Sequence, residues 1–398
     1  MGGRPCVFAD SPGGSQVPDT VIEATVEYFR TSNANTHGAF ATSEETDALT
    51  SRARSAAAAF TGADPDEIVF GSNATTLLFH LSRSISRMLG PGDEVVVTVL
   101  DHDANITPWQ MAAADARATV RVVDVDASDV TLDLDSFDRA LGSRTRVVAF
   151  TLASNAVGTV TPATDLVRRV RAMAPRALVC VDGVHLAQHR PLDLHGLGAD
   201  LLACSPYKFF GPHMGILAVR RNLLETLTPY KVRAAEDYVP DRWETGTKDH
   251  EALAGLEAAV GYLAGIGERY GAPTGPSLRD RVVAGIEVIR AYERTLSVRF
   301  IEGVAHTPGL RLFGIADPAR VDERTPTFAV RVGDRHPLET ARVLGERGIF
   351  VWDGHYYALA LMERLGLQET GGAVRVGFCH YNTADEVDRV LEELAALC

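Results

Sequence analysis

The sequence predicts an open α/β sheet of buried parallel strands, followed by a smaller α+β unit. Three observations predict it. Short β-rich runs alternate with helical stretches through the middle of the chain. Several of those runs are continuously apolar rather than alternating, which suits strands covered on both faces. A Gly-Ala-Pro-Thr-Gly-Pro-Ser stretch at 271–277 then reads as a boundary, and the pattern changes after it.

The strands are expected at 67–70, 94–100, 119–125, 146–152, 177–181, 201–204 and 215–219. Helices are expected between them at 76–88, 107–116, 134–140 and 163–174. Strand–helix alternation over this length is the pattern of a sheet wound with helices on its faces. Beyond the boundary, a long helix starts near Asp280. Strands at 327–332 and 350–352 and helices at 337–347 and 383–397 make the smaller unit.

Composition narrows the function. A chain of 398 residues fits one large domain plus a smaller one. A formal net charge of −13 disfavours nonspecific binding to nucleic acid or anionic lipid. No apolar stretch reaches the roughly 18 residues that a membrane helix needs. The N-terminal stretch has no long apolar run behind a basic start, so no signal peptide is expected. Five scattered cysteines with no CxxC argue against a disulfide framework or structural zinc. A reducing, cytoplasmic setting is expected.

In an open α/β sheet the ligand sits at the carboxyl ends of the strands. Five polar clusters stand just there: Gly71-Ser72-Asn73-Ala74-Thr75, Asp101-His102, Ser154-Asn155, Asp182-Gly183-Val184-His185 and Ser205-Pro206-Tyr207-Lys208. The first opens a helix. Its small residues let backbone amides approach an anion, and the helix N-terminus adds partial positive charge; an ordinary capped turn looks the same. Asp182 closes a buried strand, where a carboxylate is costly unless paired. It could be a cap, a metal ligand or the partner of a protonated ring nitrogen, although no metal-ligand spacing surrounds it. Lys208 lies among apolar and aromatic neighbours. Such a lysine either snorkels from a strand edge or has a lowered pKa and serves as a Schiff-base nucleophile.

Taken together, Ser205, Lys208, Gly211-Pro212 and Asp182 resemble the class V aminotransferase family of fold-type I pyridoxal-phosphate enzymes, within its cysteine desulfurase-like group. The resemblance runs from Asp10-Ser11-Pro12-Gly13-Gly14 to Tyr381-Asn382-Thr383. It implies a large domain, 21–275, with a mostly parallel seven-stranded sheet. A small α+β domain would combine 1–20 with 276–398. It also implies roles. Lys208 would hold pyridoxal 5'-phosphate (PLP) as a Schiff base and move protons, Asp182 would keep the ring nitrogen protonated, and His102 would stack on the ring. Ala74, Thr75 and Ser205 would hold the phosphate. Asn155 would lie by the phenolic oxygen and the substrate, His185 by the same oxygen, with Tyr207 also at the cofactor. Thr247 would reach the phosphate from a neighbouring subunit, implying a homodimer. Arg375 would grip the substrate's α-carboxylate, a role that suits its bidentate fork. Asn35 and His37, in the polar segment 33–42 at the active-site mouth, would be substrate contacts.

The departures bear on the reaction. Where desulfurases carry the cysteine that attacks the substrate sulfur, the segment 348–359 aligns Tyr357, and a phenol cannot carry a persulfide. Tyr207 replaces a histidine and Trp352 an arginine. Trp352, His355, Tyr356 and Tyr357 would make a more aromatic substrate pocket. The expectation is therefore a PLP-dependent lyase or transferase working at Cβ of an amino acid. It would act by C–S elimination or by enamine-forming β-replacement or decarboxylation, and not as a true cysteine desulfurase. Class V transamination and epimerisation are the alternatives. A non-catalytic PLP-binding regulator would need fewer acid–base groups. A Rossmann dinucleotide enzyme would need a GxGxxG after its first strand.

Overall fold

The computed structural model describes residues 5–398. At its centre is a seven-stranded sheet. In spatial order the strands are Ile68–Gly71, Gly215–Val219, Leu201–Cys204, Leu178–Asp182, Thr145–Thr151, Glu94–Thr98 and Thr119–Val123. Gly215–Val219 runs antiparallel to both neighbours, and every other pair is parallel. The α/β class and the mostly parallel sheet are as the sequence predicts.

The continuous apolar runs have a direct cause. Val96, Val148, Val179 and Leu202 pack into one buried cluster, and Val95, Val147, Cys180 and Leu201 into another. Successive side chains point to opposite faces of a strand. Consecutive residues are therefore apolar because both faces are covered.

Several ends shift by a residue or two, each for a local reason. Pro65–Glu67 forms a 3-10 turn closed by an Asp64/Glu67 capping box, so the first strand begins at Ile68. The helix expected at 76–88 is Ala74–Ser86, because Asn73 caps it by accepting the Thr76 N–H at 2.8 Å. The strand expected to end at 181 extends to Asp182, which pairs with Thr151 and Ala203.

After the boundary, helix Leu278–Ala305 starts on a Ser277/Asp280 capping box. Gly267 and Gly285 face each other where it meets helix His250–Tyr270, and a side chain on either would strike the other's backbone. Phe300 on the same long helix packs on Phe328 at 4.3 Å. There it covers an antiparallel sheet of Leu310–Phe313, Thr327–Val332, Ala373–Gly377 and Trp352–Gly354. The strand expected at 350–352 is divided. Ile349–Phe350 pairs with an N-terminal strand, Val7–Phe8, while Trp352–Gly354 joins the four-stranded sheet. Among the described residues, no helix is long and apolar enough to cross a membrane.

Candidate active site

A cavity of about 920 Å³ opens at the carboxyl ends of the parallel strands. Five of the seven strands lead to residues that line it. Ile68–Gly71 leads to Ala74 and Thr75, Glu94–Thr98 to His102, Thr145–Thr151 to Asn155, Leu178–Asp182 to Asp182 itself with His185, and Leu201–Cys204 to Ser205, Tyr207 and Lys208. Arg375, Trp352 and Tyr357 line it from the small sheet's side. These predicted residues converge on the cavity from both sheets.

Lys208 is buried, and its ammonium donates to the carbonyls of Pro12 and, at 3.2 Å, Gly13. Burial lowers its pKa to about 7 and the Arg375 charge adds to that, while Asp182 and Asp10 oppose it. Asp182 is pushed up to about 6 by burial, against a 2.8 Å hydrogen bond from the Val184 N–H and the charge of Lys208. Burial also drives His102 down to about 4, helped by Lys208 and Arg375. Its Nδ1 accepts the Ala104 N–H at 3.0 Å, so in the neutral ring the proton sits on Nε2. Beneath it, buried Asp101 accepts from the Thr98 hydroxyl and from Asn105 Nδ2 at 2.7 Å, and Asn105 accepts from Trp109 at 3.0 Å. That network fixes the turn carrying His102.

The cavity fits the cofactor that the resemblance implies. Asn73 satisfies the Thr76 amide, which leaves the first-turn amides of Ala74 and Thr75 for an outside anion. A side chain at Gly215 would come within 2.7 Å of Ala74 N, so glycine there permits this close packing. Asn155 Oδ1, His185 Nδ1 and Arg375 Nε are buried without a protein partner. A ring nitrogen would pair with Asp182, a phenolic oxygen with Asn155 and His185, and a phosphate with the amide cradle and Ser205, while Arg375 would be left for a substrate carboxylate.

The small-sheet side carries the expected aromatic residues. Trp352 pairs with Arg375 across the sheet and is 53 % exposed at the mouth. Tyr357 is 67 % exposed, its ring stacked on His102 at 5.3 Å. Tyr356 also lines the cavity, as expected, but most of it is buried. Its hydroxyl is held by the Ala373 carbonyl and its ring lies 4.7 Å from the Arg375 guanidinium carbon. Asn35, His37 and Thr247 are exposed and do not line this chain's cavity; His37 is turned to Asp47 at 3.3 Å. The sequence gives no sign of the part played by Pro12 and Gly13, beyond a small-residue turn that permits close approach. None of the five cysteines lines the cavity. Cys379 is buried beyond the Arg375 strand, its thiol pushed well up by burial.

Comparison with known proteins bears on the family and the fold. Residues 7–390 match the family described as aminotransferase class-V. A Mycobacterium leprae protein named probable cysteine desulfurase 2 is 35 % identical, over 98 % of this chain and 91 % of its own. A probable cysteine desulfurase of Streptomyces coelicolor is 32 % identical, over 98 % and 92 %. The apo structure of a cysteine desulfurase from Thermococcus onnurineus superposes with a TM-score of 0.88 at 26 % identity, covering 98 % of this chain and 94 % of the other.

Proposed function

The chain belongs to the class V aminotransferase family of PLP-dependent enzymes acting on amino acids, and from that premise we propose that it cleaves a C–S bond at Cβ without being a cysteine desulfurase. One observation carries this. The relatives are named for removing sulfur from cysteine, which requires a thiolate to take the sulfur, yet no cysteine lines this cavity and a tyrosine stands in the corresponding segment.

When bound, PLP supplies an electron sink that labilises bonds on the substrate's α-carbon. The protein's groups then select the bond. Arg375, with its Nε unpaired, takes the α-carboxylate. Asp182 holds a proton at the ring nitrogen. Lys208, whose amine burial holds well below the ordinary lysine range, removes the Cα proton. The Cβ–S bond breaks with its electron pair on sulfur, and the Nε2–H of His102 is the donor available to the departing thiolate. The product released to solvent would be 2-aminoacrylate, which tautomerises to its imine and is hydrolysed by one water to pyruvate and ammonia. Enamine capture, giving β-replacement, uses the same groups. The active unit is a cytoplasmic homodimer in which Thr247 serves the neighbouring site. That accords with its exposure and its place outside its own chain's cavity.

The test is the absorbance spectrum of the purified protein and of Lys208→Ala. Cysteine, cysteine sulfoxides, S-alkyl cysteines, alanine and aspartate are added in turn, with pyruvate, ammonia and sulfide assayed. The proposal expects a cofactor band near the visible edge that depends on Lys208, and pyruvate formed together with a thiol from the conjugates. Conversion to a pyridoxamine-like spectrum would instead establish transamination. Release of persulfide-level sulfur from free cysteine would restore desulfurase activity.

A further inference from the structure

We propose that Tyr356 and Tyr357 are positioning residues, the first setting the guanidinium plane of Arg375 and the second fixing the ring of His102. The proposal rests on the reading of the cavity as a site for PLP and an amino acid.

The backbone shows that this segment is held rather than free. Both tyrosines have left-handed backbone angles, φ 52° and 58°. Bulky side chains rarely adopt that conformation, and it persists where surrounding structure over-determines it. The surrounding ties are visible. The Tyr356 carbonyl accepts Asn155 Nδ2 at 2.8 Å, and the Tyr357 carbonyl accepts the Asp103 N–H at 2.7 Å. The Tyr357 N–H donates to His355 Nδ1 at 3.1 Å. Two carbonyls from the small-sheet side are thus fastened to the two large-sheet turns that carry Asn155 and His102.

The side chains then diverge. Tyr356 turns inward under Arg375, whose Nη1 donates to the Asn155 carbonyl at 3.0 Å. Asn155, Tyr356 and Arg375 form a closed, buried circuit that covers one face of the guanidinium and leaves its Nε edge for a carboxylate. Tyr357 turns outward, and its ring lies within 19° of parallel to His102. With Nδ1 pinned by Ala104 and one face covered by Tyr357, the imidazole has a single orientation. A segment tied in this way is suited to orientation, not to carrying a group in and out.

Four variants test this: Tyr356→Leu, Tyr356→Phe, Tyr357→Ala and Tyr357→Phe, each checked for native circular dichroism. The first readout needs no turnover. On protein stripped of cofactor, nitrogen-15 NMR follows the His102 titration, which Lys208 and Arg375 also face. Wild type and Tyr357→Phe should titrate near 4, and Tyr357→Ala should move upward by a unit or more as water reaches the ring. The second readout is spectral titration of the loaded enzyme with L-alanine. Tyr356→Leu should weaken binding by about tenfold, while Tyr356→Phe keeps it, since the ring and not the hydroxyl meets Arg375.

An unmoved His102 in Tyr357→Ala, or wild-type alanine affinity in Tyr356→Leu, overturns the proposal. So does tighter cofactor binding by Tyr357→Ala, which would mean that the ring occupies the cofactor's place. If wild type shows no response to any amino acid, the functional reading fails, and the NMR readout still decides the positioning role.

Discussion

Lys208 shows at the scale of one residue why position matters more than type. An ordinary lysine is charged at neutral pH and cannot attack a carbonyl. Burial among aromatic and apolar groups brings this one to about 7. Capture of PLP by stripped protein should therefore accelerate as pH rises and level off above about 7, where the amine is neutral. Stopped-flow absorbance measures this, and a rate still climbing toward pH 10 would show that the amine is not depressed. Lys208 could be found in the sequence because its apolar setting is local. Its partners could not: the Pro12 carbonyl that holds it lies 196 residues earlier in the chain. The same holds for Tyr356, whose inward turn depends on a left-handed backbone that no residue type announces. Asn35 and His37 are polar and local, yet neither lines this chain's cavity.

At the scale of elements, the seven central strands are legible because burial on both faces writes an unbroken apolar run. The short strands Val7–Phe8 and Ile349–Phe350 are not, because two residues carry no period and the pairing is made across the whole chain. Arg324 belongs with the illegible part. It is buried, and its guanidinium donates to the carbonyls of Ile315, Val157, Thr325 and Thr327. It ties the Thr327–Val332 strand to the loop that follows Thr145–Thr151, and so joins the small sheet to the turn holding Asn155. Arg324→Leu leaves the Ile315, Val157 and Thr327 carbonyls without this donor in a closed space, while the Thr325 carbonyl keeps the Thr327 N–H at 2.8 Å. At about 1–3 kcal/mol for each stranded buried acceptor, some relieved by water, a loss of at least ~3 kcal/mol is expected in urea unfolding. Arg324→Lys should rescue little, since an ammonium cannot span the same fork. A change below ~1 kcal/mol would show that the surrounding loops re-pair on their own.

For the whole molecule, the question is whether one chain completes the site. Thr247 is exposed and lies outside its own cavity, and the segment before it exposes Tyr230, Val232 and Tyr238. Large apolar side chains exposed along one segment suit a surface for association. In a twofold dimer each site would combine Lys208 of one chain with Thr247 of the other. Thr247→Glu puts a negative charge where phosphate should bind, and Lys208→Ala removes the amine. Neither homodimer should load normally. Unfolded together and refolded as a mixture, the two chains form heterodimers in which one site has both native residues and the other has neither. Cofactor absorbance should then recover to about a quarter of the wild-type value, because half the dimers are mixed and each has one intact site. If Thr247 instead served its own chain, every mixed site would keep one defect and mixing would restore nothing. Light scattering on the same samples reports the mass, and a monomer that loads fully would dispose of the shared site.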